Sequence, residues 1–350
     1  MNMRALLVGC GAMAAGWARA VTTNPLLSDK LKTGKLTLCG LVDRDANVAA
    51  QFARAQNLAD IPVFADLETA IAATGPDCVF DVTPPDVRPV VVATALKAGL
   101  HVLSEKPMAP DMETARDLCS LATARGRLFA VTQNRRYKSG VRRIEAFVKS
   151  GTLGPLTSLH AEFFMGPHFG GFREKMDHVL LLDMAIHHFD AARCMAGAEP
   201  LAVLCHETNP EGSWYARGAS AAAIFEMSGD VTFTYTGSWC AEGAPTSWDA
   251  SWRLVGTRGM LTWDGEDAMS ATVATGGPAF LRETRTVEVP ELKDDRRVQE
   301  HASVIADFLQ AVETGTPPET VCTDNIHSLA MVFGAIDSAR SGRRISLTKD

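Results

Sequence analysis

No stretch of this 350-residue chain approaches the roughly 18 consecutive apolar residues of a membrane-spanning helix. No leader pattern precedes the first apolar run, which opens at Ala5. A cytoplasmic protein with no membrane partner is therefore expected. Paired cysteines are missing too. The eight cysteines, Cys39, Cys78 and Cys194 among them, stand singly in apolar stretches, without a C-x-x-C. That spacing excludes the common zinc and disulfide frameworks and predicts reduced core thiols. There is no excess of basic charge: 34 Lys and Arg face 41 Asp and Glu, for a net charge of −7, which argues against a nucleic-acid partner. Low-complexity tracts and internal repeats are also lacking. What remains is a chain with 46% hydrophobic residues, long enough for two domains with sizeable cores.

The N-terminus carries the most informative pattern. Ala5-Leu6-Leu7-Val8 reads as a short buried strand, and it runs into Gly9-Cys10-Gly11-Ala12-Met13-Ala14. Strand, G-x-G-x-x-G/A and helix together form a dinucleotide-binding fingerprint. Gly9 permits the tight turn, Gly11 lets backbone approach a pyrophosphate, and Ala14 lets helix pack on strand. The helix start offers free N–H groups to phosphate. A second strand, Lys35–Val42, ends in Asp43-Arg44. An acid at that point accepts from ribose hydroxyls and repels a 2′-phosphate, so NAD is expected over NADP, with Arg44 as a partial offset. Asp43 stands 29 positions after Ala14, against about 20 in the usual fingerprint. The segment Thr23–Gly34 reads as an inserted helix end and loop.

Up to about residue 132 strands and helices alternate. Helices are expected at Ala46–Gln56, Leu67–Ala73, Val87–Ala98 and Met112–Arg125, and strands at Asp77–Val82, Leu100–Ser104 and Leu128–Thr132. That rhythm predicts a doubly wound parallel sheet, whose ligands lie beyond the carboxyl ends of the strands. The residues at those ends are Gly9 to Met13, Asp43, Thr83-Pro84-Pro85, Glu105-Lys106-Pro107 and Gln133-Asn134. Beyond, the texture changes. Helices are expected at Val141–Lys149 and Val179–Met195, and a strand at Leu156–Phe164. Hairpins are expected from Ala221–Phe225 with Val231–Tyr235, and from Trp252–Val255 with Met260–Trp263. The α/β fold class is thus a parallel-sheet domain, 1–132, followed by a domain with a mostly antiparallel sheet, 133–350. Two last helical stretches, Val298–Glu313 and Asn325–Ser341, flank Pro317-Pro318, and the last helix is a candidate to pack back on the first domain.

Two places carry candidate chemistry. In Glu105-Lys106-Pro107 the proline keeps Lys106 extended at a strand end, where its ammonium can stabilise charge developing on a substrate oxygen. The other reading is a surface Glu-Lys pair before a turn. In Leu182–Asp190, helical spacing puts Asp183, His187 and Asp190 on one face. An acid one turn from a histidine orients the imidazole, and histidine is the usual proton acceptor near neutral pH. His188 points about 100° away. A metal is disfavoured, because only two ligands share the face. A hydrogen-bonded structural face is the bland alternative.

With these motifs in order, the chain resembles the Gfo/Idh/MocA oxidoreductases nearly from end to end. The resemblance rests on Gly9–Ala14, on Glu105-Lys106-Pro107 and on the D-x-x-x-H-x-x-D helix at Asp183–Asp190. It also rests on Glu300–Leu309, Gly315-Thr316-Pro317-Pro318 and Thr323-Asp324-Asn325. It implies a Rossmann domain joined to a C-terminal α/β domain with a large open sheet, and NAD(P)-dependent oxidation or reduction of sugars, cyclitols and related polyols. It matches Lys106, Asp183 and His187 to the family's catalytic groups. Cofactor contacts are then expected from Gly9, Gly11, Ala12, Met13, Asp43, Arg44, Thr83, Pro84, Glu105, Lys106 and Asn134. Beside the catalytic groups, Arg136, Tyr137, His168, Arg173, Asp177 and His178 are the candidate substrate contacts. The chain departs from the family at Val179-Leu180-Leu181 and Ala185, where glycines are frequent, and at Arg88, where a histidine is common. A redox-assisted NAD-dependent glycosidase and a non-catalytic dinucleotide sensor are the rival readings. A less apolar face on the strand Val231–Tyr235 predicts a homodimer or homotetramer.

Overall fold

The computed structural model describes residues 2–292 and 295–348. The chain divides into two compact units, Met1–Tyr137 with Gln299–Ile326, and Lys138–Val298 with His327–Asp350. The sequence reading divided the chain once, after residue 132. The structure cuts it three times, after residues 137, 298 and 326, because residues 299–326 return to the first unit.

The first unit opens with β1 (Met3–Val8), α1 (Ala12–Thr23), α2 (Pro25–Lys32), β2 (Leu36–Val42) and α3 (Ala46–Ala55). It continues with β3 (Val63–Phe64), α4 (Leu67–Thr74), β4 (Cys78–Asp81), α5 (Arg88–Lys97), β5 (His101–Ser104), α6 (Met112–Arg125) and β6 (Phe129–Val131). Among the described residues its strands form one sheet of order β3-β2-β1-β4-β5-β6, parallel at every pairing. β1 and β4 are apolar and buried along almost their whole length, as strands covered on both faces must be. The order reverses between β1 and β4, which puts a topological switch point beside Gly9.

The long spacing to Asp43 has a concrete cause. The insertion is a separate helix, α2, whose start is capped by Asn24 accepting from Leu26 N at 3.0 Å and pre-set by Pro25.

The second unit contains α7 (Ser139–Lys149), β7 (Leu156–Phe164) and a π-helical turn, Leu180–Ala185, that runs into α8 (Ile186–Ala196). Then come β8 (Pro200–Thr208), β9 (Ser220–Met227), β10 (Val231–Ser238), β11 (Ser251–Gly256), β12 (Gly259–Trp263), β13 (Met269–Ala274) and β14 (Thr284–Val287). The helix α9 (His301–Thr314) belongs to the first unit. It is followed by α10 (Cys322–Ser341) and β15 (Ile345–Ser346).

The second sheet runs β14-β13-β12-β11-β7-β10-β9-β8-β15 among the described residues. Its one parallel pairing there is β10 with β7. Both expected hairpins form, β9 with β10 and β11 with β12. Burial alternates along β9 and β10, so one face is packed and the other open. Phe189 of α8 seats on the packed face, with ring centroids 4.8 Å from Phe225 and 5.2 Å from Tyr235.

Candidate active site

The loop after β1 has the shape a dinucleotide needs. Gly9 sits at φ +91°, and a Cβ there would meet the Val82 carbonyl at 2.8 Å, so no other residue fits. At Gly11 nothing lies within 4 Å of an added Cβ, which leaves the approach open. Gly11 is also the N-cap of α1 and gives no side-chain cap, so the first N–H groups of the helix are left for a ligand. Ala14 is fully buried against the sheet, while Ala12 and Met13 are exposed beside the helix start.

Asp43 closes this loop from the side. Its Oδ2 accepts from Cys10 N at 3.0 Å and its Oδ1 from Asp45 N at 3.0 Å, so the carboxylate is fixed at the end of β2. Arg44 beside it is exposed. Burial first, and the Asp43 charge second, push the Cys10 thiol up to about 12. The cradle therefore fits the adenosine half of a dinucleotide: a glycine turn, open helix N–H groups and a held acid.

The ends of β4 and β5 are tied by Arg88, which is 2% exposed. Its guanidinium donates to the Pro107 carbonyl and, at 2.5 Å, to the Thr83 carbonyl, and its Nε lies 3.3 Å from Asp81 Oδ2. Thr83 Oγ1 and Ser104 Oγ also donate to Asp81, at 2.5 and 2.7 Å. Burial outweighs these partners and raises the Asp81 carboxyl above its ordinary value. Pro84 is exposed at the head of this loop. The same guanidinium thus braces Thr83 on one strand end and the residue after Lys106 on the next.

Glu105 is buried, and Trp17 Nε1 donates to its Oε1 at 2.7 Å while His301 Nε2 lies 3.6 Å away. Burial alone would raise its pKa. The His301 and Trp17 hydrogen bonds and the Arg88 charge outweigh burial and hold the carboxyl below its ordinary value. Glu105 Oε2 also accepts from Lys106 N at 3.1 Å. Lys106 is half-buried, and the Lys106–Pro107 peptide is cis.

Three sequence candidates serve the interior of the first unit. Arg136 donates to the Glu319 carbonyl and to Asp324, both at 3.0 Å. Tyr137 donates to Asp307 at 2.7 Å. Asn134 donates to Glu300 at 3.3 Å, and Glu300 has the strained φ of +47°. These bonds account for the side chains as ties to residues 299–326, contacts that local pattern could not reveal.

In the second unit the D-x-x-x-H-x-x-D helix begins as a π turn, so α-helical spacing does not set where Asp183 points. Asp183 Oδ2 accepts from Arg173 Nε at 2.8 Å. His187 is buried one residue into α8. Asp190 is fully buried and accepts from Ser328 Oγ at 2.7 Å; Arg193 in turn donates to that hydroxyl at 2.9 Å. Asp190 therefore holds α8 to α10. His188 Nε2 lies 3.1 Å from the Trp248 carbonyl, and its ring lies 4.8 Å from that of Phe163.

The remaining candidates lie on the loop before the turn. His168 stacks on Trp214, with centroids 3.8 Å apart, and its Nε2 lies 3.4 Å from Glu242. Asp177 pairs with Arg217 at 3.3 Å, both exposed. His178 has φ +54°; its Nδ1 contacts Glu207 and its Nε2 lies 2.9 Å from Arg340 Nη2. Sequence reasoning named Arg88 only as a departure and His301 only within the stretch Glu300–Leu309, and passed over Trp17. The signal for Arg88 was its place one helix start after Thr83-Pro84-Pro85. Among the described residues no group of three or more His, Cys, Asp or Glu is arranged to hold a metal.

Comparison with known proteins agrees with this geometry. Residues 3–133 match the model of an oxidoreductase family with an NAD-binding Rossmann fold, and residues 141–262 match the GFO/IDH/MocA C-terminal domain. The uncharacterized protein y4oX of Sinorhizobium fredii is 25% identical over 99% of this chain and 96% of its own length. Inositol 2-dehydrogenase of Corynebacterium glutamicum is 28% identical over 58% of this chain, a match that spans 56% of that enzyme. An oxidoreductase from Agrobacterium radiobacter, solved in complex with NAD+, L-tartaric acid and magnesium, shares the fold at TM-score 0.86 and 16% identity over 99% of both chains. With a family model matched in each half of the sequence, the chain belongs to the Gfo/Idh/MocA family of NAD-binding oxidoreductases.

Proposed function

We propose that the protein is an NAD-dependent dehydrogenase or reductase acting on a CH–OH group of a sugar, cyclitol or related polyol. The observation that carries this reading is the cradle of Gly9, Gly11 and Asp43 at the switch point of the first sheet. Gly9, Gly11, Ala12, Met13 and Asp43 would hold the dinucleotide, with Arg44, Thr83, Pro84, Glu105, Lys106 and Asn134 around it. When bound, NAD supplies the hydride acceptor or donor. The substrate class follows the inositol 2-dehydrogenase similarity.

The protein's own part is proton handling and charge stabilisation. Lys106 donates to the substrate oxygen and favours its negative charge. His187 takes the hydroxyl proton on oxidation and returns it on reduction. Asp183, which accepts from Arg173 Nε at 2.8 Å, completes the proton-handling group. The open face of the second sheet, with Leu204 and Ile224 exposed, suits a homodimer or homotetramer, which light scattering at micromolar concentration tests.

The test of function is a panel of sugars, cyclitols and their glycosides with NAD and NADP, followed at the NADH absorbance. NADH formation with a free polyol is expected. Release of sugar from an aryl glycoside without net NADH would replace this reading with redox-assisted hydrolysis.

A further inference from the structure

Between β7 and the π turn the chain runs G-P-H-F-G-G-F-R from Gly166 to Arg173. This loop is built, not loose. The Pro167 carbonyl accepts from Trp214 Nε1 at 3.1 Å and from the Tyr215 hydroxyl at 2.5 Å. His168 stacks on Trp214, and Phe169 lies 5.7 Å from Trp239 and 6.3 Å from Trp248. Gly170 and Gly171, both left-handed at φ +67° and +69°, turn the chain so that two phenylalanines flank one guanidinium. The Arg173 guanidinium carbon is 4.9 Å from the ring centroid of Phe169 and 4.9 Å from that of Phe172. Its Nε is spent on Asp183. Among the described residues its two terminal nitrogens have no hydrogen-bond partner. Phe169 and Phe172 are 45% and 62% exposed, so aromatic surface stands open beside this charge.

We propose that Arg173 is the recognition group for a carboxylate on the substrate, so that the substrate is a sugar acid or other polyhydroxy acid and not a neutral polyol. The inference rests on the proposed redox function and narrows its substrate class. A guanidinium has donors and no acceptor, so the group facing it must accept. Two parallel N–H donors on a planar fork match the two oxygens of a carboxylate, whereas a hydroxyl uses one. The two rings each approach the cation to 4.9 Å and the Asp183 bond holds its Nε, so the remaining donors are positioned before a ligand arrives. The exposed rings beside it offer an apolar wall to the C–H face of a carbon skeleton. Asp183 is thereby linked to substrate through a single guanidinium.

The test titrates the intact protein, with NAD present, with matched ligands: D-glucuronate against D-glucose, D-gluconate against D-glucitol, and glucose 6-phosphate as the competing anion. Tryptophan fluorescence reports binding, since Trp214, Trp239 and Trp248 surround the loop. The expected result is that in at least one pair the acid binds about tenfold or more tightly than its neutral partner. Raising the salt concentration should shrink that ratio in the wild type, a measurement that needs no variant. Arg173→Met should bring the ratio near one, and Arg173→Lys should restore less than half of it, because a point charge lacks the fork. Equal or tighter binding of the neutral partner in both pairs overturns the proposal. So does a ratio that survives Arg173→Met, or a gain confined to the phosphate. The two readings fail separately. Arg173-dependent acid binding without NADH from any substrate removes the redox function and keeps the subsite. NADH from neutral polyols, with no gain for acids, does the reverse.

Discussion

Two arginines show how differently the two units use the same side chain. Arg88 in the first unit is buried and internally paired: its two terminal nitrogens donate to carbonyls, its Nε lies 3.3 Å from Asp81, and it braces the loops after β4 and β5. Arg173 in the second unit is partly exposed, flanked by rings, and bonded to protein through Nε. A cation paired inside the fold holds architecture, because removing it leaves a buried carboxylate and carbonyls unpaired. A cation with an open edge binds, because its remaining donors are satisfied by whatever arrives. The first unit's site is thus rigid by burial, and the second unit's is shaped by surface aromatics.

The largest effect expected is on turnover. Lys106→Ala should lower kcat by about 10² to 10³ and His187→Ala by about 10² to 10⁴, with NAD affinity measured by calorimetry nearly unchanged. Near-normal kcat in either variant would make that residue structural. Next, Arg88→Met should destabilise the fold by about 3–5 kcal/mol in denaturant titration. The loss should be greater at pH 8 than at pH 5, since the raised Asp81 carboxyl is freer to take a proton in acid. Arg173→Met should cost about 1 kcal/mol or less in the same titration, because its site is half open. Equal losses in the two variants would abolish the contrast between the arginines.

Smaller than the Arg88 loss is the effect on cofactor choice. Asp43→Ser should narrow the NAD preference by roughly tenfold, since a fixed carboxylate no longer repels a 2′-phosphate. Wild-type turnover with NADP equal to that with NAD would remove Asp43 from that role. The smallest effect is on acid stability. The Glu105 carboxyl lies below its ordinary value in the folded state, so its contribution is full above the ordinary carboxylate range and is lost as pH falls through the lowered value. Glu105→Gln should therefore lower the neutral plateau and flatten the acid limb of the stability profile, with little change at the acid end. An unchanged acid limb would mean that other groups carry it.

The parts of this molecule legible in the sequence are those where one residue type is physically required. Gly9 is such a position, because a Cβ collides with Val82. The alternation on β9 and β10 is another, because a one-residue slip would turn the apolar face outward. The return of residues 299–326 to the first unit was not legible, since it rests on pairs far apart in the chain, such as Arg136 with Asp324 and Tyr137 with Asp307. The π turn was hidden for a different reason. Leu180–Ala185 has ordinary helix-forming composition, and the extra residue per turn comes from how the helix start is seated, with Val179 N and Leu180 N bonding to the Arg217 and Gly218 carbonyls. Arg173 was visible as a polar loop residue, but its two aromatic neighbours were not, because they meet it only through the left-handed glycine pair.

The Cys10 thiol has a practical consequence for anyone handling this enzyme. Only the thiolate reacts with alkylating agents and peroxides. A thiol that burial and the Asp43 charge push up to about 12 carries far less thiolate at neutral pH than an ordinary exposed cysteine. The loop after β1 therefore carries a sulfur expected to react slowly. The same carboxylate proposed to select the cofactor also helps shield the loop from oxidative damage, so Asp43→Ser should make Cys10 more reactive toward iodoacetamide.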